Sequence, residues 1–200
     1  YEIKSRERRI LYIDNSIDIE DYPNTKKWLL DFKEQLSKRR EAKKGVISWY
    51  GLQWPRVKSE LDIKEKILIQ RTRNEALKQR IIATIDEEGV YGMEGIYFII
   101  PKDEGVSLYF LLGILNSKLM NYLFATKFLN LAIKAEYLKQ VMIPSASDKN
   151  IITLVKEILQ TKRMNSGTDT SSLEREIDQL VYQLYGLTDE EIAIVEGSNE

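Results

Sequence analysis

The chain has 200 residues, with 30 Lys+Arg against 31 Asp+Glu and neither cysteine nor histidine. That length suits one domain with an appended element, able to bury a core without covalent staples. The missing residue types exclude disulfides, thiolate and imidazole metal sites, and every mechanism that needs histidine as a base.

The net charge of −1 hides a polarity, because residues 1–80 carry a balance of +7 and residues 81–200 one of −8. Such a split fits either solvated faces of unlike sign or a basic binding face with an acidic remainder. The opening run "YEIKSRERRILYIDNS" reads as the interior of a longer polypeptide. No apolar run has the length of a membrane span and no secretory signal pattern opens the chain, so the expectation is a cytoplasmic protein with no membrane partner.

Asn24 or Thr25 is placed to cap a helix that runs to about Lys44, with Trp28, Leu29, Phe32 and Leu36 at helical spacing and Gly45 as its stop. Its end carries Lys38, Arg39, Arg40, Lys43 and Lys44. Cations there suit the helix dipole, but five exceed that need. "WYGLQWPR", residues 49–56, follows directly. Trp49, Tyr50 and Trp54 are candidate core aromatics, whereas Gln53 and Arg56 are harder to bury.

Between Gly45 and Pro144 the pattern is mixed. "EKILIQR", "QRIIATID" and "GIYFIIP" read as short strands, and "DEEGVYG" reads as a hairpin turn between the last two. "SLYFLLGILNSKLMNYLF", residues 107–124, reads as one core helix capped by Ser107. "YLKQVMIP" reads as a strand ending at Pro144. Asp148 then precedes a helix over 149–164. Ser171 and Glu174 form a capping-box pattern ahead of Leu173, Ile177, Leu180, Val181 and Leu184, and Gly186 ends that helix. Thr188 and Glu191 repeat the box for a last short helix.

Catalytic signatures are weak. "EAK", residues 41–43, with Asp31 upstream has the spacing of a restriction-type nuclease, but both fall on a helix with no strand to place them. Neither a glycine-rich phosphate loop nor the Asn-Pro-Pro-aromatic motif that presents adenine to a methyltransferase occurs. Binding signatures are richer. Gln pairs bidentately with adenine and Arg with guanine in the major groove, while Lys and Arg neutralise phosphates. "QRTRNEALKQR", residues 70–80, supplies Gln70, Arg71, Arg73, Asn74, Lys78, Gln79 and Arg80 next to a strand. The cluster Lys38, Arg39, Arg40, Lys43 and Lys44 is expected to share one basic face with Arg56, Arg71 and Arg73.

Read in order, "WYGLQWPR", "KEKILIQR", "DEEGVYGMEGIYFII", "LLGILNSKLMNYLF" and "YLKQVMIP" resemble the TaqI-like C-terminal specificity domain, the target-recognition part of many type II restriction-modification enzymes. The matching points are Trp49, Tyr50 and Gln53; Lys66 and Ile67; Tyr97; Leu115, Asn116, Ser117 and Lys118; and Ile143 and Pro144. "EIDQLVYQLYGLTDEEIAIVE" is similar to the helical tail that closes such proteins. The resemblance covers about residues 26–196. It implies binding of double-stranded DNA in service of an N6-adenine methyltransferase domain of the same parent chain. That domain uses S-adenosylmethionine, and magnesium enters if the parent also cleaves.

The resulting expectation is an α+β fold, with a small mixed sheet flanked by helices and followed by a helical tail. Residues 1–45 form an N-terminal segment and basic helix, 46–147 the recognition domain, and 148–200 a tail packed on it. Lys38, Arg39, Arg40, Lys43, Lys44, Trp49, Tyr50, Gln53, Arg56, Lys66, Gln70, Arg71 and Arg73 are the DNA-binding candidates. A rival reading makes the acidic tail a protein-docking element: after Asn165 it has one cation, Arg175, against nine acids. A further rival places the same fold in an RNA-modifying or defence enzyme.

Overall fold

The computed structural model describes residues 9–72, 79–92, 95–101, 105–128, 132–145 and 147–197. The chain divides after Leu61 into two compact units. This is neither of the expected boundaries, which fell after 45 and after 147.

In the N-terminal unit a 3-10 turn, Ile19–Asp21, leads into α1 (Pro23–Leu30), α2 (Lys33–Ser37), α3 (Arg40–Lys43) and α4 (Lys58–Leu61). The single helix expected over 24–44 is thus three short ones. Pro23 sits in the first turn of α1, where its missing N–H costs nothing, and Tyr22 rather than Asn24 holds the cap position. Gly45 does end the run, at φ +69°. Ile13, Ile19 and Leu29 form a small core against which Ile17, Leu36, Trp49 and Tyr50 pack.

The second unit is built on three strands, β1 (Lys66–Gln70), β2 (Ala83–Asp86) and β3 (Ile96–Ile99), in the order β2-β1-β3. Both pairings are antiparallel, so the expected mixed sheet is corrected to an antiparallel one within an α+β fold. The hairpin expected between β2 and β3 does not form, because β1 lies between them. The turn after β2 is closed from within: the Asp86 carboxylate accepts from the N–H groups of Glu88, Gly89 and Val90 at 3.0, 3.1 and 2.7 Å. Central β1 explains its own sequence, since Ile67, Leu68 and Ile69 are all buried, as a strand covered on both faces requires.

The apolar run after residue 107 folds as two helices, α5 (Leu108–Asn116) and α6 (Lys118–Lys127), bent by 58°. Ser117 causes the break. Its backbone is extended, its hydroxyl donates to the Ile114 carbonyl at 2.7 Å, and the same oxygen accepts from Met120 N–H as the cap of α6. Ser107 occupies the cap position of α5 without a side-chain hydrogen bond. Among the described residues no single helix is long and apolar enough to cross a membrane, and the apolar side chains of this bent pair belong to the core. "YLKQVMIP" is not a strand: its first two residues, Tyr137 and Leu138, end α7 (Ala135–Leu138), and the rest is turn and irregular chain.

The tail follows the sequence closely. Asp148 caps α8 (Lys149–Met164), accepting from Asn150 and Ile151 N–H at 2.7 and 3.1 Å. Thr170, one residue before the expected Ser171, stands at the start of α9 (Ser171–Tyr185) and pairs with Glu174. Gly186 ends α9 at φ +67°, and Thr188 with Glu191 makes the capping box of α10 (Asp189–Val195). Ile177 and Val181 are buried in the core that also holds Ile67, Ile85 and Phe110, with Leu173, Leu180 and Leu184 packed at its margin.

Sheet, α5 and α8 stack as successive layers, with α9 against α8 and α6. Gly113 of α5 permits the close approach: a β-carbon there would lie 2.6 Å from the Ile151 Cγ2 and 3.1 Å from the Val155 Cγ2. Gly113→Ala is therefore expected to destabilise by ~1–3 kcal/mol through overpacking, despite alanine's better helix propensity. Urea unfolding checks the sign; a stabilised variant would show that α5 and α8 have room to part.

Candidate nucleic-acid interface

The basic run is sorted by its short helices. Lys38 pairs with Glu34 at 2.6 Å one turn earlier and is well exposed. Arg39 turns inward, donating from Nε to the Leu36 carbonyl at 3.0 Å and from Nη2 to the Trp49 carbonyl at 2.8 Å. It is a brace for "WYGLQWPR" more than a surface charge. Arg40, Lys43 and Lys44 are exposed. Glu41 is buried between them and accepts from the Gln53 amide at 2.5 Å. That contact gives the "EAK" carboxylate a structural partner, and no group of carboxylates among the described residues is placed to hold a metal ion.

Trp49 and Tyr50 meet edge to face, with ring centroids 5.4 Å apart, and pack on the N-terminal core. The expectation of core aromatics holds for this pair. Trp54 departs from it: the side chain is 73% exposed and its backbone lies at φ +57°. The Tyr12 hydroxyl donates to the Arg56 carbonyl at 2.5 Å, and Leu52 N–H donates to the Ile13 carbonyl at 2.7 Å. The stretch is tied down on both sides of Trp54.

In the second unit Lys66 is a correction. Its side chain is wholly buried, paired with Asp86 at 3.4 Å and donating to the Ile63 carbonyl at 2.7 Å, so no phosphate can reach it. Gln70 is exposed at the end of β1 and donates to the Thr72 carbonyl at 2.8 Å. Arg71 lies with its guanidinium carbon 5.7 Å from the Tyr97 ring centre. Its backbone bonds to Gly95 and Ile133 at 2.8 Å each. Arg80 is buried and donates to the Phe128 carbonyl, a scaffold role. Gln79 is exposed, while Arg73, Asn74 and Lys78 lie outside the described residues. Of the residues expected to share one basic face, Lys38 to Arg56 belong to one unit and Arg71 to the other.

Two asparagines act as clamps; Asn116 falls on the apolar helix and reads as structural from sequence, whereas sequence reasoning missed Asn121. Asn116 accepts from Ala83 N–H and donates to the Ala83 carbonyl at 3.1 and 3.0 Å, as a strand neighbour would. The Asn121 oxygen accepts from Arg80 and Ile81 N–H at 2.6 and 2.9 Å. The sequence signal is the pair of amides five residues apart in "NSKLMN", on an otherwise apolar run.

Beside these clamps lies a cleft of about 460 Å³ lined by Asn116, Ser117, Lys118, Lys162, Glu174 and Asp178, among others. Asp178 is buried and accepts from Lys118 N–H at 2.8 Å. Burial pushes its carboxyl up to about 6, against the smaller opposing pull of that N–H and of the Lys118 charge. The fold therefore favours the neutral acid. Its stabilising contribution is complete below the unfolded value near 4 and is lost as pH rises towards 6. Relative to Asp178→Asn, which keeps the acceptor oxygen, the wild type should lose about 1–3 kcal/mol across that window. Equal pH profiles for the two proteins would show Asp178 to be solvated.

This is an α+β domain of the specificity type. The sequence profile of the TaqI-like C-terminal specificity domain matches residues 11–144, and the chain belongs to that family. It is 31% identical over 134 residues to a putative type II restriction enzyme and methyltransferase of Methanocaldococcus jannaschii, a match covering 60% of this chain and 11% of that protein. It is 25% identical over 189 residues to a type II methyltransferase of Geobacillus stearothermophilus, covering 92% of this chain and 31% of that protein. The chain thus spans about a tenth and about a third of these curated relatives.

Proposed function

We propose that the chain is the DNA target-recognition domain of a type II restriction-modification enzyme. It holds the duplex in register for an N6-adenine methyltransferase domain elsewhere in the parent chain, in the cytoplasm. The family match over residues 11–144 carries this reading, and the names of the two relatives support it. Adenine N6 lies inside the base stack, so the methyltransferase must flip the base out, at a cost of about a few kcal/mol. A domain that grips phosphates and base edges on either side supplies the binding energy for that step. S-adenosylmethionine, and magnesium if the parent cleaves, belong to the parent's other parts. The acidic tail supports the rival docking reading less well, because its apolar face is spent on the core.

Lys43 and Lys44 are the best candidates for phosphate contacts, being exposed on the segment richest in positive charge. Binding of the chain to mixed-sequence duplex should weaken steeply with salt. The double variant Lys43→Ala/Lys44→Ala should flatten the slope of log K against log salt by about 0.9 per lost contact, with affinity falling alike on all sequences. Fluorescence anisotropy with labelled duplex at several salt concentrations measures both. Wild-type binding no stronger than to a neutral polymer would end the DNA reading.

A further inference from the structure

We infer that Trp54 is a base-stacking residue, its indole packing on the π-face of a nucleobase in DNA held by the N-terminal unit. The inference rests on the DNA reading above and adds a residue and a contact to it. "WYGLQWPR" sorts its two tryptophans: Trp49 packs on the Ile13, Ile19 and Leu29 core, and Trp54 stands 73% exposed five residues later. A ring of that size left in water forgoes most of its hydrophobic stabilisation. Its backbone also lies at φ +57°, a region bulky residues rarely adopt and glycine adopts freely. Pro55 narrows the choice further, since the residue before a proline is pressed towards extended conformations.

Strain of this kind persists where the surroundings over-determine it, and it gathers at binding sites. Here four bonds do so: Arg39 to the Trp49 carbonyl, Leu52 to Ile13, Gln53 to Glu41, and Tyr12 to the Arg56 carbonyl. The backbone that carries the ring is therefore held in place, so little backbone freedom is lost when the ring finds a partner. Charge chooses the partner. From Lys38 to Lys58 the chain carries seven Lys+Arg and one Asp+Glu, a balance of +6. A flat apolar ring on a segment of that sign matches the chemistry of a polyanion with aromatic bases, as in strand-binding grooves. An apolar protein surface would match the ring and leave the charge unanswered.

The base face comes either from a duplex step opened by a wedging side chain or from an unpaired base. Three probes distinguish these: a mixed-sequence duplex, the same duplex with a central mismatch, and one of its single strands. Trp54→Ala should weaken binding ~5- to 150-fold on the probe that supplies the base. Trp54→Phe should retain most of the affinity, and the salt slope should not change, because no phosphate contact is lost. A loss largest on the mismatched duplex identifies an opened step, and one largest on the single strand an unpaired base. Trp54→Gly should lose the same affinity while its melting temperature rises, since glycine holds φ +57° without strain. A lowered melting temperature for Trp54→Gly, with binding lost in proportion to unfolding, would make Trp54 structural and overturn the inference. Equal binding of all three probes by wild type and Trp54→Ala would overturn it while leaving the DNA reading intact. Failure of the wild type to bind any probe would remove both.

Discussion

Lys66→Ala is expected to cost ~3–5 kcal/mol of stability, because it leaves the Asp86 carboxylate buried without its cation. Both side chains are fully enclosed and face each other across the β1–β2 register, in which Lys66 is the partner of Asp86. Asp86 also organises the turn that follows β2 through three N–H donors, and Lys66 also donates to the Ile63 carbonyl. The pair thus joins the start of β1 to the end of β2. Replacing both charges, as in Lys66→Met/Asp86→Asn, should recover much of the loss, since desolvating two ions offsets most of what their attraction gains. Urea midpoints for both single variants and the double variant give the coupling. A shift below ~1 kcal/mol for Lys66→Ala would mean that water reaches the pair.

Lys66 also shows what could be read in the sequence and what could not. Its family-like neighbours, "KEKILIQR", marked β1 correctly, because a run of β-branched residues between polar ends speaks for itself. Burial of the lysine was invisible, since its partner lies twenty residues away and pairing across a sheet is not a local property. The same limit explains the missing β2–β3 hairpin: period and turn residues locate strands, whereas strand order is decided by what packs on them. Local signals did well where the chemistry is local, as at Asp148, Gly186 and the Thr188–Glu191 box. They failed at Ser117, where one hydroxyl able to cap a new helix cut an apolar run in two.

Several of the positions that carry the family resemblance are scaffold. Asn116 grips Ala83, Ser117 caps α6, Leu115 fills the core and Trp49 braces the N-terminal unit. A family is recognisable by what must stay fixed, and base-reading side chains change with the target. Gln53 illustrates the difficulty, because the amide of this DNA-binding candidate is engaged by Glu41. To read a base it would have to exchange one charged hydrogen bond for two neutral ones.

Ending the chain at residue 147 is expected to abolish cooperative unfolding of the second unit. The tail supplies Ile151, Leu154, Val155, Ile158, Leu159, Ile177 and Val181 to the same core as the sheet. Each buried side chain of this kind is worth ~1.5–3 kcal/mol, so even the lower end rivals the ~5–15 kcal/mol by which a whole domain is stable. What remains would expose the face of α5 on which Gly113 meets Ile151 and Val155, a surface prone to association. Circular dichroism should show a shallow thermal transition, and a dye that reports apolar surface should bind. Single substitutions grade the same test. Ile158→Ala, fully buried, should cost ~2–5 kcal/mol, and Leu180→Ala, at the core's margin, less than that. A truncated chain that still melts sharply near the wild-type temperature would make the tail a separate module and reopen its reading as a docking element. Sheet and tail signals of the second unit melting together is the result the shared core requires.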